Sequence, residues 1–309
     1  MKVGAIEAGG TKFVCGIVEI DGSASAADGS ASATRILSRK SIPTTSPPET
    51  LGESLEFFRR EAHALAPEGL SALGIGSFGP VDLHESSPTW GYITATPKPR
   101  WRNTRVAGYF RDELGLPVAF DTDVNGAAYG ELLWGAARGL RDFVYITVGT
   151  GIGGGVYSNG ALLHGLSHPE LGHLKVQREP GDPFAGACPF HKDCLEGMAS
   201  GPAVAARWNA RPEELPQAHE AWELEARYLA RAFAGFALIL SPERILLGGG
   251  VGLRPGMAER VSTLVGEELA GYLPPLASRE ALARFVVRPE LGADAGLLGA
   301  AALAIQAPL

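Results

Sequence analysis

The sequence predicts an α/β protein built as two similar lobes. Three observations carry that reading. Two glycine-rich hairpins, Val3–Ile20 and Phe143–Gly160, lie about half a chain apart, and each flanks a Gly/Thr turn with apolar strand-like runs. Short apolar strands alternate with helical patterns through the rest of the chain. With 309 residues, 45% of them apolar, the chain is long and oily enough to bury more than one core.

Taken in order, the first hairpin turns at Gly9, Gly10, Thr11 and Lys12, between the strands of VGAIEAGGTKFVCGIVEI. The polar, low-complexity run Ser23 to Arg35 buries little and is expected at an exposed hairpin tip. Leu51 to Ala66 reads as a helix, and Ala72 to Leu83 as a strand ending in a Gly-Pro turn. Pro117 to Val124 reads as a buried strand that enters a helix at Asn125. The second hairpin carries Gly149, Thr150, Gly151, Gly153 and Gly154. Trp222, Ala226, Leu229, Phe233, Phe236 and Leu240 recur at spacings of four and three, which lays one core-facing stripe along a helix. A strand at Arg244 to Val251 ends in three glycines, and Leu291 to Ala304 is a small-residue helix suited to close packing.

The formal net charge of -7 argues against a nucleic acid or an anionic membrane as partner and points to a small molecule. The amino terminus lacks the pattern of a secretory signal, and no apolar stretch reaches the roughly 20 residues a bilayer requires, so a cytoplasmic protein is expected. Three cysteines, an odd number, fit a reducing compartment. Cys15, in an apolar strand, reads as an inert core thiol.

Glycines in a strand-to-strand turn let backbone N–H groups approach an anion, and two such turns suit a polyphosphate. Thr11 and Lys12 in the first turn, and Thr150 in the second, add a hydroxyl or a charge. Neither turn matches G-x-x-x-x-G-K-[ST], and strand rather than helix follows VGTGIGGG, so neither a P-loop nor a dinucleotide fingerprint is present. The stretch DTDVN sets two carboxylates and an amide where an apolar strand ends. Asp123 is the candidate base there, while Asp121 and Asn125 serve equally well as helix caps.

CPFHKDC, residues 188 to 194, follows HPELGH, residues 168 to 173. Two cysteines and two histidines complete a tetrahedral zinc set, and four protein ligands leave no open position, so such an ion is structural. Zinc held by His173, Cys188, His191 and Cys194 is the favoured reading, with a Cys188–Cys194 disulfide or chance as alternatives. His168 is the other candidate for fourth ligand, although His164 and His168 read more simply as loop histidines.

The stretches E-A-G-G-T-K, F-G-P-V-D, D-V-N, the E-x-G-H of Glu170 to His173 and the C-L-E of Cys194 to Glu196 occur together and in this order. In that combination the chain resembles the ROK family of sugar kinases and repressors, and most closely its zinc-containing bacterial fructokinases. The resemblance implies an actin-like, hexokinase-like ATPase fold with a cleft between two lobes. It implies a small lobe of residues 1–116, completed by a C-terminal helix at about 291–309, and a large lobe of residues 117–290 carrying the zinc loop. The implied activity is transfer of phosphate from ATP, with Mg²⁺, to the 6-hydroxyl of a hexose. By the same resemblance Asp123 is the general base. Gly9, Gly10, Thr11, Lys12, Thr150 and Gly151 form the phosphate loops, and Gly248, Gly249 and Gly250 lie beside the adenosine. Glu170 and Glu196 hold sugar hydroxyls, and His173 is a zinc ligand next to the sugar. Family members are commonly homodimers.

Three departures from the common family pattern stand out. Glu7 replaces an aspartate, which leaves its part in magnesium binding open, and Cys188, His191 and Cys194 replace a three-cysteine cluster. Thr94 to Trp101 replaces an asparagine-containing sugar loop. The last departure favours fructose, with mannose, glucose or an N-acetylhexosamine as alternatives. A sugar-sensing repressor needs a helix-turn-helix ahead of the first strand, for which a strand starting at Val3 leaves no room.

Overall fold

The computed structural model describes residues 1–21 and 33–307. Most of the polar run Ser23 to Arg35, expected at a hairpin tip, lies outside the described residues. Contacts divide the chain into two units: residues 1–139, 162–168 and 290–309, and residues 140–161 and 169–289.

The first unit is built on strands β1 (Lys2–Ala8), β2 (Lys12–Ile20), β3 (Thr34–Pro43), β4 (Leu73–Ser77) and β5 (Val118–Thr122), in the order β3-β2-β1-β4-β5. The β1–β2 and β2–β3 pairs are antiparallel, whereas β4 joins β1, and β5 joins β4, in parallel. The second unit carries β6 (Phe143–Val148), β7 (Ile152–Ser158), β8 (Ala161–Leu162), β9 (Arg244–Gly248) and β10 (Val286–Val287), in the order β8-β7-β6-β9-β10. Read from its first strand, each sheet has the same order, and each opens with the glycine-turned hairpin seen in the sequence.

Strand β5 begins just past the expected lobe boundary at residue 116/117 and groups with the first unit. Its parallel pairing with β4 runs from Leu73 opposite Val118 to Ser77 opposite Thr122, which holds β5 and the helix after it in the first unit. The chain first leaves the first unit after Gly139, re-enters it briefly at residues 162–168, and returns for good at Glu290.

Each sheet packs its own core. In the first unit Phe13, Phe57, Phe58, Trp101 and Phe110 are fully buried, each contributing about 1.5–3 kcal/mol by leaving water. In the second, helix Ala221–Leu240 buries Trp222, Ala226, Leu229, Phe233 and Phe236 along the expected stripe. Helix Pro47–Leu65 starts four residues before the expected Leu51 because Ser46 and Glu49 form a capping box with proline in its first turn. Among the described residues no helix is long and apolar enough to cross a membrane.

Backbones come closest where glycine has been placed. Helix Asp123–Trp134 lies against the C-terminal helix Ala295–Ala304 so tightly that a Cβ on Gly299 would sit 2.4 Å from the carbonyl carbon of Gly126. A Cβ on Gly74 in β4 would sit 1.8 Å from the carbonyl oxygen of Ala300.

Candidate functional site

In the first unit the parallel register sets Ala8, Ser77 and Thr122 side by side, so the carboxyl ends of β1, β4 and β5 share one edge of the sheet. The turn Gly9–Lys12 and the head of helix Asp123–Trp134 both leave from that edge, where open α/β sheets bind their ligands. Gly9 N–H donates to the Lys12 carbonyl at 3.0 Å, and Thr44 Oγ1 donates to the Gly9 carbonyl at 2.7 Å, which fixes the turn. Gly10, Thr11 and Lys12 are exposed, and nothing lies within 4 Å of where a Cβ on Gly10 would be. Glu7, just before the turn, is the carboxyl nearest these groups in sequence. Burial raises its proton affinity, opposed by Lys12 and Arg39, and the absence of a side chain at Gly296 leaves it space.

Asp123 is the first residue of its helix and half-buried, so its carboxylate sits at the positive end of the helix dipole. The cap is Thr122, whose Oγ1 accepts the Asn125 N–H at 3.1 Å, and not Asp121 or Asn125 as the sequence suggested. Those two have another task. Asp121 Oδ1 accepts from Thr122 N and from Asn125 Nδ2, both at 2.7 Å, and its Oδ2 lies 2.9 Å from His164 Nε2. That bond raises the proton affinity of His164 against the opposing effect of burial. His164 and His168 are therefore more than loop histidines. His168 is buried and accepts the Val81 N–H at 3.3 Å, and both line a cavity of about 290 Å³ with Asp82, His84 and Thr94. Their role was not legible because neither partner is a sequence neighbour. Trp101, at the end of the substituted loop, is core: its Nε1 donates to the Thr45 carbonyl and its ring packs on Phe13 and Phe78.

The second unit repeats the arrangement. Gly149 N–H donates to the Gly151 carbonyl at 2.9 Å, Thr150 is exposed, and Thr147 pairs with Gly248, so the turn and the three glycines share the same sheet edge. Gly249, at φ +81, brings its backbone against Val148, and Gly250 N lies 4.0 Å from where a Cβ on Gly149 would be. Glu196 Oε2 accepts the Ile152 N–H at 3.0 Å and occupies the space beside Gly151, which ties this carboxylate to the turn. Sequence reading passed over Gly201, which opens the helix Gly201–Trp208 by donating its N–H to the Gly149 carbonyl at 2.7 Å. The signal was present in the run S-G-P, a serine cap followed by proline.

Glu170 and His173 flank Gly172, whose absent side chain lets the segment lie on the backbone of Ile152. Glu170 is exposed. The ligand atoms of His173, Cys188, His191 and Cys194 all lie within 4.8 Å of one another. Cys188 Sγ is 3.8 Å from His173 Nδ1 and 3.9 Å from His191 Nδ1, and Cys194 Sγ is 3.6 Å from His173 Nδ1. Bonds of about 2.3 Å to sulfur and about 2.05 Å to nitrogen at tetrahedral angles imply S···N edges of about 3.6 Å, so the four groups fit a zinc ion. His191 N–H points at Cys188 Sγ at 3.5 Å, as suits a thiolate ligand, and both cysteines are free thiols rather than a disulfide. Burial pushes the Cys194 thiol up to about 11, an effect a dication would reverse.

The loop between these ligands is clamped to helix Ala221–Leu240. Tyr228 Oη donates to Asp182 Oδ2 at 2.5 Å, Arg207 reaches the same oxygen at 3.2 Å, and Arg231 pairs with Glu179 at 2.6 Å.

The family model described as the ROK family matches residues 3–307. A fructokinase of Zymomonas mobilis is 43% identical over 307 residues, covering 98% of this chain and 96% of that protein. Among solved structures, the ROK hexokinase from Thermus thermophilus is 30% identical at a TM-score of 0.75, covering 99% of this chain and 98% of its own. A ROK family glucokinase from Streptomyces griseus, solved in complex with glucose and AMPPNP, is 26% identical at a TM-score of 0.70, with 99% and 100% covered.

Proposed function

The chain belongs to the ROK family and has its two-sheet, hexokinase-like fold, and from that premise we propose that it transfers the γ-phosphoryl group of ATP to the 6-hydroxyl of fructose. The observation that carries the sugar is the 43% identity to a fructokinase across nearly the whole chain, against 26% to a glucokinase. The chemistry rests on Asp123, a half-buried carboxylate at a helix head on the ligand-binding edge of its sheet, which takes the proton of the attacking hydroxyl. Gly9–Lys12 in the first unit and Thr150, Gly151 and Gly248–Gly250 in the second supply N–H groups, hydroxyls and one ammonium for the nucleotide. Their chemistry is that of phosphate cradles. Glu170 and Glu196 take sugar hydroxyls, Glu196 through the carboxylate oxygen that does not hold Ile152 N–H.

Mg²⁺ brought by ATP would neutralise phosphate charge, and Glu7, two residues before the Gly9–Lys12 turn, is the candidate carboxylate to hold it. Zinc held by His173, Cys188, His191 and Cys194 has a structural role. It fixes the segment that carries Glu170, because His173 is three residues from it and Gly172 between them lies on Ile152. ATP supply puts the reaction in the cytoplasm. The reading includes a homodimer, and light scattering at the elution peak tests this against a monomer.

The experiment for the activity is ADP release with ATP and Mg²⁺ on fructose, mannose, glucose and N-acetylglucosamine. Turnover confined to fructose supports the reading. Turnover only on another hexose keeps the kinase and replaces the sugar.

A further inference from the structure

Helix Asp123–Trp134 carries a second carboxylate, Glu131, in its last turn, about 12 Å along the axis from Asp123. Glu131 is fully buried. Its Oε2 accepts N–H from Ala136 at 2.7 Å and from Glu290 at 3.1 Å, and its Oε1 accepts from Leu291 at 2.8 Å. Its backbone carbonyl takes the N–H groups of Gly135 and Ala137 at 3.0 and 3.1 Å. One residue thus gathers the N–H groups of two segments more than 150 positions apart in sequence. These are the segments by which the chain first leaves the first unit, after Gly139, and last returns to it, at Glu290.

The seat is built for this carboxylate. A Cβ on Gly135 would lie 2.1 Å from Glu131 Oε2, and one on Gly130 would lie 3.2 Å from Leu291 Cδ1, so glycines on either side clear the carboxylate and the returning segment. Burial raises the Glu131 carboxyl above its ordinary range despite the N–H donors, so the ionised group is less favoured here than in water.

We propose that Glu131 is a positioning residue of the phosphoryl transfer: it fastens the first and the last crossing segments to the far end of the helix whose first residue is Asp123. A neutral residue of the same shape cannot replace it, because its single acceptor oxygen leaves an NH₂ group facing an N–H. The inference rests on the kinase reading for its effect on turnover and on the structure alone for its effect on the crossings.

Two variants test it. Glu131→Gln turns one of the two acceptor oxygens into an NH₂ donor, and Gly135→Ala leaves the charge but occupies its seat. With both folded at 25 °C, kcat is expected to fall by between about 10- and 100-fold, the scale of a misplacement approaching 1 Å. Trypsin cleavage after Arg138, Arg141 and Arg288, which flank the crossings, is expected to accelerate by about tenfold. Variants that melt earlier yet keep wild-type kcat and cleavage rates would make Glu131 a stabilising residue only and overturn the proposal. Hydrogen exchange on the wild-type protein decides independently of variant folding. The Ala136, Glu290 and Leu291 amides are expected to be protected together, and exchange at the rate of exposed amides contradicts the fastening. If wild type phosphorylates no sugar, the kinase reading fails, while the cleavage and exchange results still judge the fastening.

Discussion

Gly299→Ala is the substitution for which structure and chemistry give the sharpest joint expectation. Alanine in a helix interior gains about 1 kcal/mol over glycine, so propensity alone predicts stabilisation. Packing opposes it. The new Cβ would lie 2.4 Å from the carbonyl carbon and oxygen of Gly126 and 2.6 Å from Ala127 N, all backbone atoms that cannot rotate away. Carbon atoms rest at about 3.5–4.0 Å, so the two helices must separate by about 1 Å. Overpacking costs about 1–3 kcal/mol, and against backbone atoms at this distance the upper end, about 3 kcal/mol, applies, which outweighs the propensity gain. A net loss near 2 kcal/mol lowers the melting temperature by roughly 4–8 °C for a unit of this size. The displaced helix carries Asp123, and a misplacement of about 1 Å at a reacting group costs about 10² in rate. Circular dichroism melts and ADP release at 25 °C measure the two effects on one preparation. A variant that melts at or above the wild-type temperature with unchanged kcat would refute both the packing argument and the link from that packing to the base.

Other expectations follow from the same geometry. Asp123→Asn should bind fructose and ATP by calorimetry while kcat falls by about 10²–10⁴, the range for a positioned base; near-normal turnover removes Asp123 from that role. Elemental analysis should find one zinc per wild-type chain and none in Cys194→Ala, whose segment around Glu170 should become open to protease, because the four donors act as one set. Metal-free wild type of full activity contradicts this. Glu225 is buried beside Arg207, and burial raises its carboxyl to about 8. Above the unfolded value near 4.5 the native state then holds the extra proton, so this group lowers stability as pH rises toward 8. Glu225→Gln should remove that slope in melts between pH 5.5 and 8.5, and parallel pH profiles for the two proteins would show that Glu225 titrates elsewhere.

Much of this was readable before any coordinates, for identifiable reasons. Turns such as Gly9–Lys12 and Thr150–Gly151 announce themselves because a glycine cluster between two apolar runs has few other uses. The cluster of two cysteines and two histidines was visible because three of its members fall within seven residues and the fourth belongs to a compact motif. What stayed hidden depends on partners distant in sequence. The boundary at Gly139 follows from β5 pairing with β4, 45 positions earlier for Leu73 and Val118. Asp121 read as a cap because its contact with His164 lies 43 positions away, and Glu131 read as one more helical residue because two of its donors lie about 160 positions on. Small residues at Gly74, Gly126 and Gly299 suggested close packing without saying against what.

The most direct test of the central claim is the initial rate of ADP release by the purified protein with ATP, Mg²⁺ and fructose, with fructose 6-phosphate identified as the product. The account predicts saturable turnover that exceeds that on glucose, mannose and N-acetylglucosamine and collapses in Asp123→Asn. Absence of phosphoryl transfer to any of these sugars by folded, zinc-loaded protein would contradict it.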